Sequence, residues 1–153
     1  MISLKLVRAE PLATGIRLFE LRDHAGAALP EFSPGAHLTV KTPAGYLRKY
    51  SLCNAPAERD RYVIGVKREA GGRGGSVDLV DKWKTGDSVE VTPPENAFPL
   101  HPGVKNFIFI AGGIGITPIM SMIRHLESTG LGSFKLYYLT RDSGSTAFLA
   151  DLS

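Results

Sequence analysis

Over roughly its first hundred residues the chain alternates apolar and polar side chains in short stretches, and glycine and proline separate the stretches. Ile2-Ser3-Leu4-Lys5-Leu6 is the clearest example. A period of two with this spacing is typical of strands in an antiparallel sandwich or small barrel. The pattern predicts strands near residues 2–6, 15–21, 36–40, 47–53, 61–68 and 87–92. Between the last two, Leu79 and Trp83 stand four apart, which predicts a short helix over 76–83 that caps the barrel.

The pattern changes after residues 99–103. An uninterrupted apolar stretch at 107–110 predicts a parallel strand that is buried on both faces. A glycine-rich turn follows, and then a helix for which Thr117 suits the N-cap and Pro118 the first helical position. The predicted helix has one apolar face and ends near Gly130; the residues of that face are Ile119, Met122, Ile123 and Leu126.

Residues 134–140 predict a second apolar strand and residues 148–152 the beginning of another helix. Strand, glycine-rich turn, helix and strand in this order open a doubly wound nucleotide-binding fold. That fold normally has at least five strands, and only two are predicted after residue 103. The sequence therefore predicts a barrel domain at 1–102 and an incomplete nucleotide-binding domain at 103–153.

Composition restricts the class of protein only moderately. The chain has 153 residues, 43% hydrophobic and 22% charged, with a formal net charge of +3. These values are ordinary for a globular protein and lack the dense basic stripe of a nucleic-acid-binding surface. No apolar stretch is long enough to cross a membrane and no signal peptide is recognisable, so we expect a cytoplasmic protein with neither nucleic-acid nor membrane partners. The single cysteine, Cys53, excludes a four-thiolate cluster within the chain and is expected to fill the core.

Three segments have candidate chemistry. The first, Arg48-Lys49-Tyr50-Ser51-Leu52, combines a cation for a phosphate, an aromatic ring and hydroxyl donors on one predicted strand. Alternation places Arg48, Tyr50 and Leu52 on one side and Lys49 and Ser51 on the other. Taken alone, these five residues are better explained by a solvated basic pair beside a core tyrosine on an edge strand.

The second segment is Gly71-Gly72-Arg73-Gly74-Gly75-Ser76, which leads into the predicted short helix. Backbone amides freed by glycine at a helix start form a natural phosphate cradle. Ser76 suits either the helix cap or a hydrogen bond to a phosphate oxygen. A flexible hairpin loop is the alternative.

The third segment is the turn that contains Gly112, Gly113 and Gly115, where a pyrophosphate can approach the backbone. It lacks the third glycine of the usual dinucleotide fingerprint. A tight strand-to-helix turn without a ligand is the alternative.

Taken together, the segments resemble one family, the ferredoxin reductase-like flavoproteins, in the branch of phthalate dioxygenase reductase and vanillate O-demethylase reductase. The resemblance covers essentially the whole chain. The matching segments are RKYSL at 48–52, VKR at 66–68, GRGGS at 72–76, NAFPL at 96–100, AGGIGITP at 111–118 and LYYLTR at 136–141.

The resemblance implies a six-stranded antiparallel flavin-binding barrel with a capping helix, followed by the first βαβ part of the nicotinamide-binding domain. It implies that Arg48 binds the flavin phosphate, Tyr50 packs on the isoalloxazine ring, and Phe98 lies near the ring. Ser51, close to flavin N5, and Thr117, facing the dinucleotide, are the candidate catalytic residues. The full set of implied cofactor-binding residues is Arg48, Lys49, Tyr50, Ser51, Leu52, Val66, Lys67, Gly74, Gly75, Ser76, Phe98, Gly112, Gly113 and Thr117.

The implied activity is hydride transfer from NAD(P)H to the flavin, followed by single-electron transfer to a [2Fe–2S] centre that serves a Rieske-type aromatic oxygenase or demethylase. FMN is the expected flavin with FAD as the alternative, and NADH the expected co-substrate with NADPH not excluded. The partners are then the nicotinamide dinucleotide and a [2Fe–2S] ferredoxin domain or oxygenase component. The family's later Cys-Gly-Pro segment and cluster ligands are absent, so we expect this chain to bind flavin but to use NADH poorly. A flavin-binding module or inert fragment without catalysis is the alternative function.

Overall fold

The computed structural model describes residues 1–153. Six strands form an antiparallel sheet, and two further strands pair in parallel. The strands are β1 (Ile2–Ala13), β2 (Ile16–Arg22), β3 (His37–Lys41), β4 (Leu47–Ser51), β5 (Tyr62–Lys67), β6 (Ser88–Val91), β7 (Asn106–Gly112) and β8 (Ser133–Leu139). The α-helices are α1 (Gly75–Lys82), α2 (Ile116–Thr129) and α3 (Leu149–Leu152).

The six-stranded sheet has the order β4-β3-β6-β1-β2-β5, and its two end strands meet. Leu52, just after β4, forms a bridge to Ile64 of β5, and the Cys53 N–H donates to the Val63 carbonyl at 2.8 Å. The sheet thus closes on itself, and the predicted six-stranded antiparallel barrel is confirmed. Closure brings the end of β4 beside β5, which alternation along either strand does not reveal.

β1 is much longer than the predicted 2–6, and that boundary was wrong. The strand continues through Pro11, although proline lacks the N–H that a sheet ladder uses. The pairing register with β2 shifts between Pro11 and Ala13, so the proline lies at an irregularity where the missing donor is tolerated. Gly15, with φ of 72°, then turns the chain into β2.

The barrel encloses a core that α1 covers at one end. Leu79 and Trp83 are buried there, as predicted, and the Trp83 ring packs edge-to-face on Phe19 at 5.3 Å. The helix ends one residue earlier than predicted, because Trp83 is already extended and its N–H donates to the Leu79 carbonyl. The predicted capping helix is otherwise confirmed.

The predicted strand, turn, helix and strand after residue 103 are also confirmed, and β7 and β8 are parallel. All four residues of the predicted apolar face of α2 are buried, and so is Met120. Gly130, with φ of 66°, ends α2 and donates its N–H to the Leu126 carbonyl at 2.9 Å. The chain has no helix long and apolar enough to cross a membrane.

Two predictions for this segment were wrong. Thr117 is not the N-cap, because residues 113–115 form a 3₁₀ turn and Ile116 already begins α2. The Thr117 hydroxyl instead donates to the Ile114 carbonyl at 3.1 Å. Strand β7 is not buried on both faces: Ile108 and Ile110 are each 71% exposed, because α2 packs against only the opposite face.

A second core joins this segment to the barrel. Ile16, Leu18, Cys53 and Val63 of the barrel pack with apolar residues of α2 and β7. The division into domains at residue 103 stays a prediction, because the barrel and the following segment share this core. Cys53 is fully buried, as expected for a core filler, and burial raises the pKa of its thiol to about 12. The shared core fixes the start of α2 over β5, where the two parts border one hollow.

Candidate functional site

A hollow of about 480 Å³ lies between β4, β5, the glycine-rich loop and the start of α2. Residues from each of the three candidate segments line it: Arg48, Lys49, Tyr50 and Ser51 from the first, Gly72, Arg73, Gly75 and Ser76 from the second, and Ile114, Gly115, Thr117 and Pro118 from the third. The three segments are far apart in sequence, so the closed barrel and the shared core are what bring them together.

One end of the hollow is built for an anion. A Cβ added to Gly75 would lie 2.4 Å from Arg48 Nε, so the Arg48 side chain occupies the space that glycine leaves open. Gly74, with φ of 90°, turns the chain into α1 as its N-cap. The first amides of a helix have no partner within the helix and attract negative charge. The Arg48 cation and the start of α1 therefore face the same space.

Of the two roles that the sequence left open for Ser76, the structure rules out the helix cap. The Ser76 Oγ accepts a hydrogen bond from the Glu69 N–H at 3.0 Å. The hydroxyl hydrogen is not used by that bond and remains available to donate into the hollow.

Cations outnumber carboxylates around the hollow. Lys49, Lys67 and Arg73 line it together with Arg48, against the single carboxylate of Glu69. Lys67 lies 3.8 Å from Glu69, which is a long ion pair and leaves most of the positive field in place. The site is suited to a ligand with a phosphate or another anionic group.

The other end of the hollow has aromatic and hydroxyl groups. Tyr50 is half-buried against the barrel core, and burial raises the pKa of its phenol although the Arg48 charge opposes the shift. Tyr50 therefore stays neutral at physiological pH. Ser51 follows it in the strand, and Thr117 approaches from α2 so closely that a Cβ on Gly65 would lie 3.2 Å from Thr117 Cγ2.

The structure does not bring every predicted residue to the hollow. Leu52 and Val66 are fully buried in the barrel core, so only their backbone atoms can contribute to the site. Phe98 is 56% exposed and does not line the hollow. Alternation along the strand places Arg48 and Tyr50 on the opposite side from Lys49 and Ser51. All four residues nevertheless line the hollow.

A second hollow, of about 440 Å³, adjoins the first and shares Lys67 and Ile114 with it. Gly113 and Arg141 also line this second hollow. Gly112 lines neither, and Thr117 lines only the first. The glycine-rich turn before α2 thus lies between two adjacent spaces.

Sequence analysis missed Gly65 and Glu69 as lining residues, since neither belongs to a candidate segment or to the predicted cofactor-binding set. Gly65 had a detectable signal, because a lone glycine inside an apolar strand often marks the close approach of another group. No comparable signal distinguishes Glu69, which lines the hollow only through the path of the loop.

Comparison with known proteins places this geometry in a family. The model of the ferric reductase NAD binding domain matches residues 104–152. Phthalate dioxygenase reductase from Burkholderia cepacia is 54% identical over 99% of this chain and 47% of its own length. Vanillate O-demethylase oxidoreductase from Pseudomonas putida is 42% identical over 97% of this chain and 46% of its own length.

The solved structures agree with the sequence relatives. A phthalate dioxygenase reductase, described as a modular structure for electron transfer from pyridine nucleotides to [2Fe–2S], superimposes with a TM-score of 0.97 at 54% identity, over 99% of this chain and 47% of that one. An intact type IV self-sufficient cytochrome P450 monooxygenase gives a TM-score of 0.91 at 36% identity, over 98% of this chain and 19% of that one.

The fold is that of the ferredoxin reductase-like class. Within that class the chain belongs to the branch of phthalate dioxygenase reductase and vanillate O-demethylase reductase. It spans about half the length of the curated relatives that it matches.

Proposed function

We propose that this chain binds FMN in the first hollow and forms the flavin-binding part of an NAD(P)H-dependent electron-transfer reductase. The observation that supports this most strongly is the convergence of Arg48, Gly75 and Ser76 on one space. The residues fit the ligand: a cationic pocket at a helix start suits a phosphate, and Tyr50 suits a planar ring.

At the phosphate end, Arg48 would supply a planar fork of N–H donors and Ser76 a hydroxyl hydrogen. Gly74 and Gly75 would allow the phosphate to approach the first amides of α1. Lys49 and Lys67 would add positive field from the neighbouring strands. The sum of these donors, rather than any one of them, would set the affinity for the phosphate.

At the ring end, Tyr50 would cover one face of the isoalloxazine and Ser51 would donate a hydrogen bond near its N5 atom. Leu52 and Val66 would contribute backbone groups only, since both side chains are in the core. Phe98 is not included in the proposed site, because it is exposed and does not line the hollow.

The second hollow would receive the nicotinamide dinucleotide, with Gly113 at its edge and Thr117 at the border with the first. Gly112, which lines neither hollow, would contribute only as part of the turn. When bound, the flavin supplies the coupling of two-electron to one-electron transfer, which no side chain provides. The chain's own contribution would be to hold the two rings in contact and exclude water from between them.

The electrons would pass to a [2Fe–2S] centre in a ferredoxin domain or oxygenase component, and finally to a Rieske-type oxygenase or demethylase. A related phthalate dioxygenase reductase has a modular structure for electron transfer from pyridine nucleotides to [2Fe–2S], which supports this order. The cluster would lie outside these 153 residues, because their only cysteine is buried in the core.

Anaerobic stopped-flow mixing of the FMN-loaded chain with NADH or NADPH tests the proposal. We expect FMN to bind and its absorbance to bleach only slowly on addition of NADH, in keeping with the poor use of NADH expected from the sequence. Bleaching as fast as in a complete reductase would show that expectation to be wrong. FMN binding without bleaching by either nucleotide would assign the chain to the flavin-binding modules without catalysis. A chain that binds FAD in preference to FMN would overturn the choice of cofactor, and one that binds neither would overturn the function.

A further inference from the structure

Tyr46 lies directly against the Arg48 side chain, outside the residues that line the hollow. The guanidinium carbon of Arg48 is 5.0 Å from the centroid of the Tyr46 ring, within the range of a cation–π contact. Arg48 forms no ion pair with a carboxylate, and its Nη1 donates only to the adjacent Leu47 carbonyl at 2.9 Å. The aromatic ring is therefore the main side chain that orients the guanidinium.

The turn that contains Tyr46 is fastened to α1. The buried carboxylate of Asp78 accepts the Ala44 N–H at 2.7 Å and pairs with Lys82 Nζ at 2.7 Å. Gly74 also lies against the Tyr46 ring, since a Cβ on Gly74 would be 3.5 Å from Tyr46 Oη. Tyr46 is thus fixed between the glycine-rich loop and Arg48, although its side chain is 41% exposed.

We propose that Tyr46 is a positioning residue that holds the Arg48 guanidinium over the start of α1, so that the pocket selects flavins that carry a phosphate. The inference rests on the proposed FMN site. In a long, unpaired arginine side chain, many rotamers compete, and ordering it costs conformational entropy at the moment of binding. A ring that orders Arg48 in advance reduces this cost for FMN. Riboflavin has the same ring system without the phosphate and gains nothing from the ordered guanidinium.

The test compares FMN and riboflavin binding to the full 153-residue chain and its variants by quenching of flavin fluorescence. Tyr46→Leu should weaken FMN binding by about threefold to tenfold, the range expected from loss of a partly exposed cation–π contact. Riboflavin binding should change by less than about twofold. Tyr46→Phe keeps the ring and should retain the FMN-to-riboflavin affinity ratio of the unaltered chain. Tyr137→Leu, an exposed tyrosine on β8 outside both hollows, is the matched control and should alter neither affinity.

Each outcome decides a different point. Equal weakening of FMN and riboflavin by Tyr46→Leu would mean a general structural role and overturn the inference, as would an unchanged FMN affinity. Loss of the ratio in Tyr46→Phe would assign the effect to the hydroxyl group instead of the ring. If Tyr46→Leu lacks the native circular dichroism spectrum, Tyr46→Met replaces it, with the same expected changes in FMN and riboflavin affinity. Failure of the unaltered chain to bind FMN would reject the proposed function itself.

Discussion

Gly75 offers the sharpest perturbation of the site, because the three atoms nearest to an added methyl group all belong to the Arg48 side chain. The added Cβ would lie 2.4 Å from Nε, 2.8 Å from Cγ and 2.9 Å from Cζ of Arg48. These atoms belong to a flexible side chain, so Gly75→Ala should move the guanidinium and leave the backbone in place. Gly75 is the first residue of α1 and its φ is not positive, so alanine is compatible with its backbone and the fold should be retained.

The expected loss is in phosphate binding. A hydrogen bond to a charged group contributes roughly 1.5–3 kcal/mol, and displacement of Arg48 removes at least one. At about 1.4 kcal/mol for each factor of ten, FMN binding should weaken by about 10-fold to 100-fold.

Isothermal titration calorimetry with FMN measures this loss, and circular dichroism verifies that the variant is folded. Gly71→Ala is the matched control, since a Cβ at Gly71 meets no atom within 4 Å and its φ is not positive. Undiminished FMN affinity in a folded Gly75→Ala variant, or an equal loss in Gly71→Ala, would refute the placement of the phosphate beside Arg48.

Three further predictions concern stability and reactivity. The hydrogen bond from Lys82 holds the pKa of Asp78 at about 2, below its ordinary 3.8. The ionised Asp78 carboxylate therefore stabilises the fold fully above about pH 4, and this stabilisation is lost as the pH falls towards 2. Urea unfolding between these pH values should show that the difference in free energy of unfolding between the unaltered chain and Asp78→Asn shrinks as the pH falls. A difference that stays constant would contradict the prediction. The Cys53 thiol, buried and with its pKa raised to about 12, should react with dithionitrobenzoate only after unfolding in urea, and rapid labelling of the native chain would show that the core is open there. Thr117→Val, which removes the hydrogen bond to the Ile114 carbonyl, should lower the free energy of unfolding by about 1 kcal/mol, whereas Thr117→Ser should not; equal stability of all three proteins would refute a contribution from this bond.

The sequence was a good guide to elements and a poor guide to their ends. Short apolar stretches separated by turn residues predicted all six barrel strands, although β5 is buried on both faces and does not alternate. This pattern missed the continuation of β1, because Pro11 in a strand is acceptable only where the register is irregular, and register is a property of two strands. Thr117 looked like an N-cap because its sequence context suits one, but the 3₁₀ turn before it had already started the helix.

The candidate site was predictable in its residue types and not in its arrangement. Arg48 and Ser76 share a hollow only because the end strands β4 and β5 of the sheet meet, and a single sequence does not specify that strand order. Phe98 was expected near the ring on resemblance alone, and no pattern in the sequence shows on which side of the barrel its loop lies. The contact between Tyr46 and Arg48 depends on ring orientation, which only the three-dimensional structure supplies.

The central claim is that a phosphorylated flavin occupies the hollow between Arg48 and the start of α1. Its most direct test is to saturate the purified 153-residue chain with FMN and remove the unbound flavin by gel filtration. The flavin that heating releases from the protein is then quantified, and its molecular mass is determined by mass spectrometry. The account predicts a yellow protein that retains close to one FMN per chain, and an Arg48→Met variant that retains far less. A chain that emerges colourless, or an Arg48→Met variant that retains as much FMN as the unaltered chain, would contradict it.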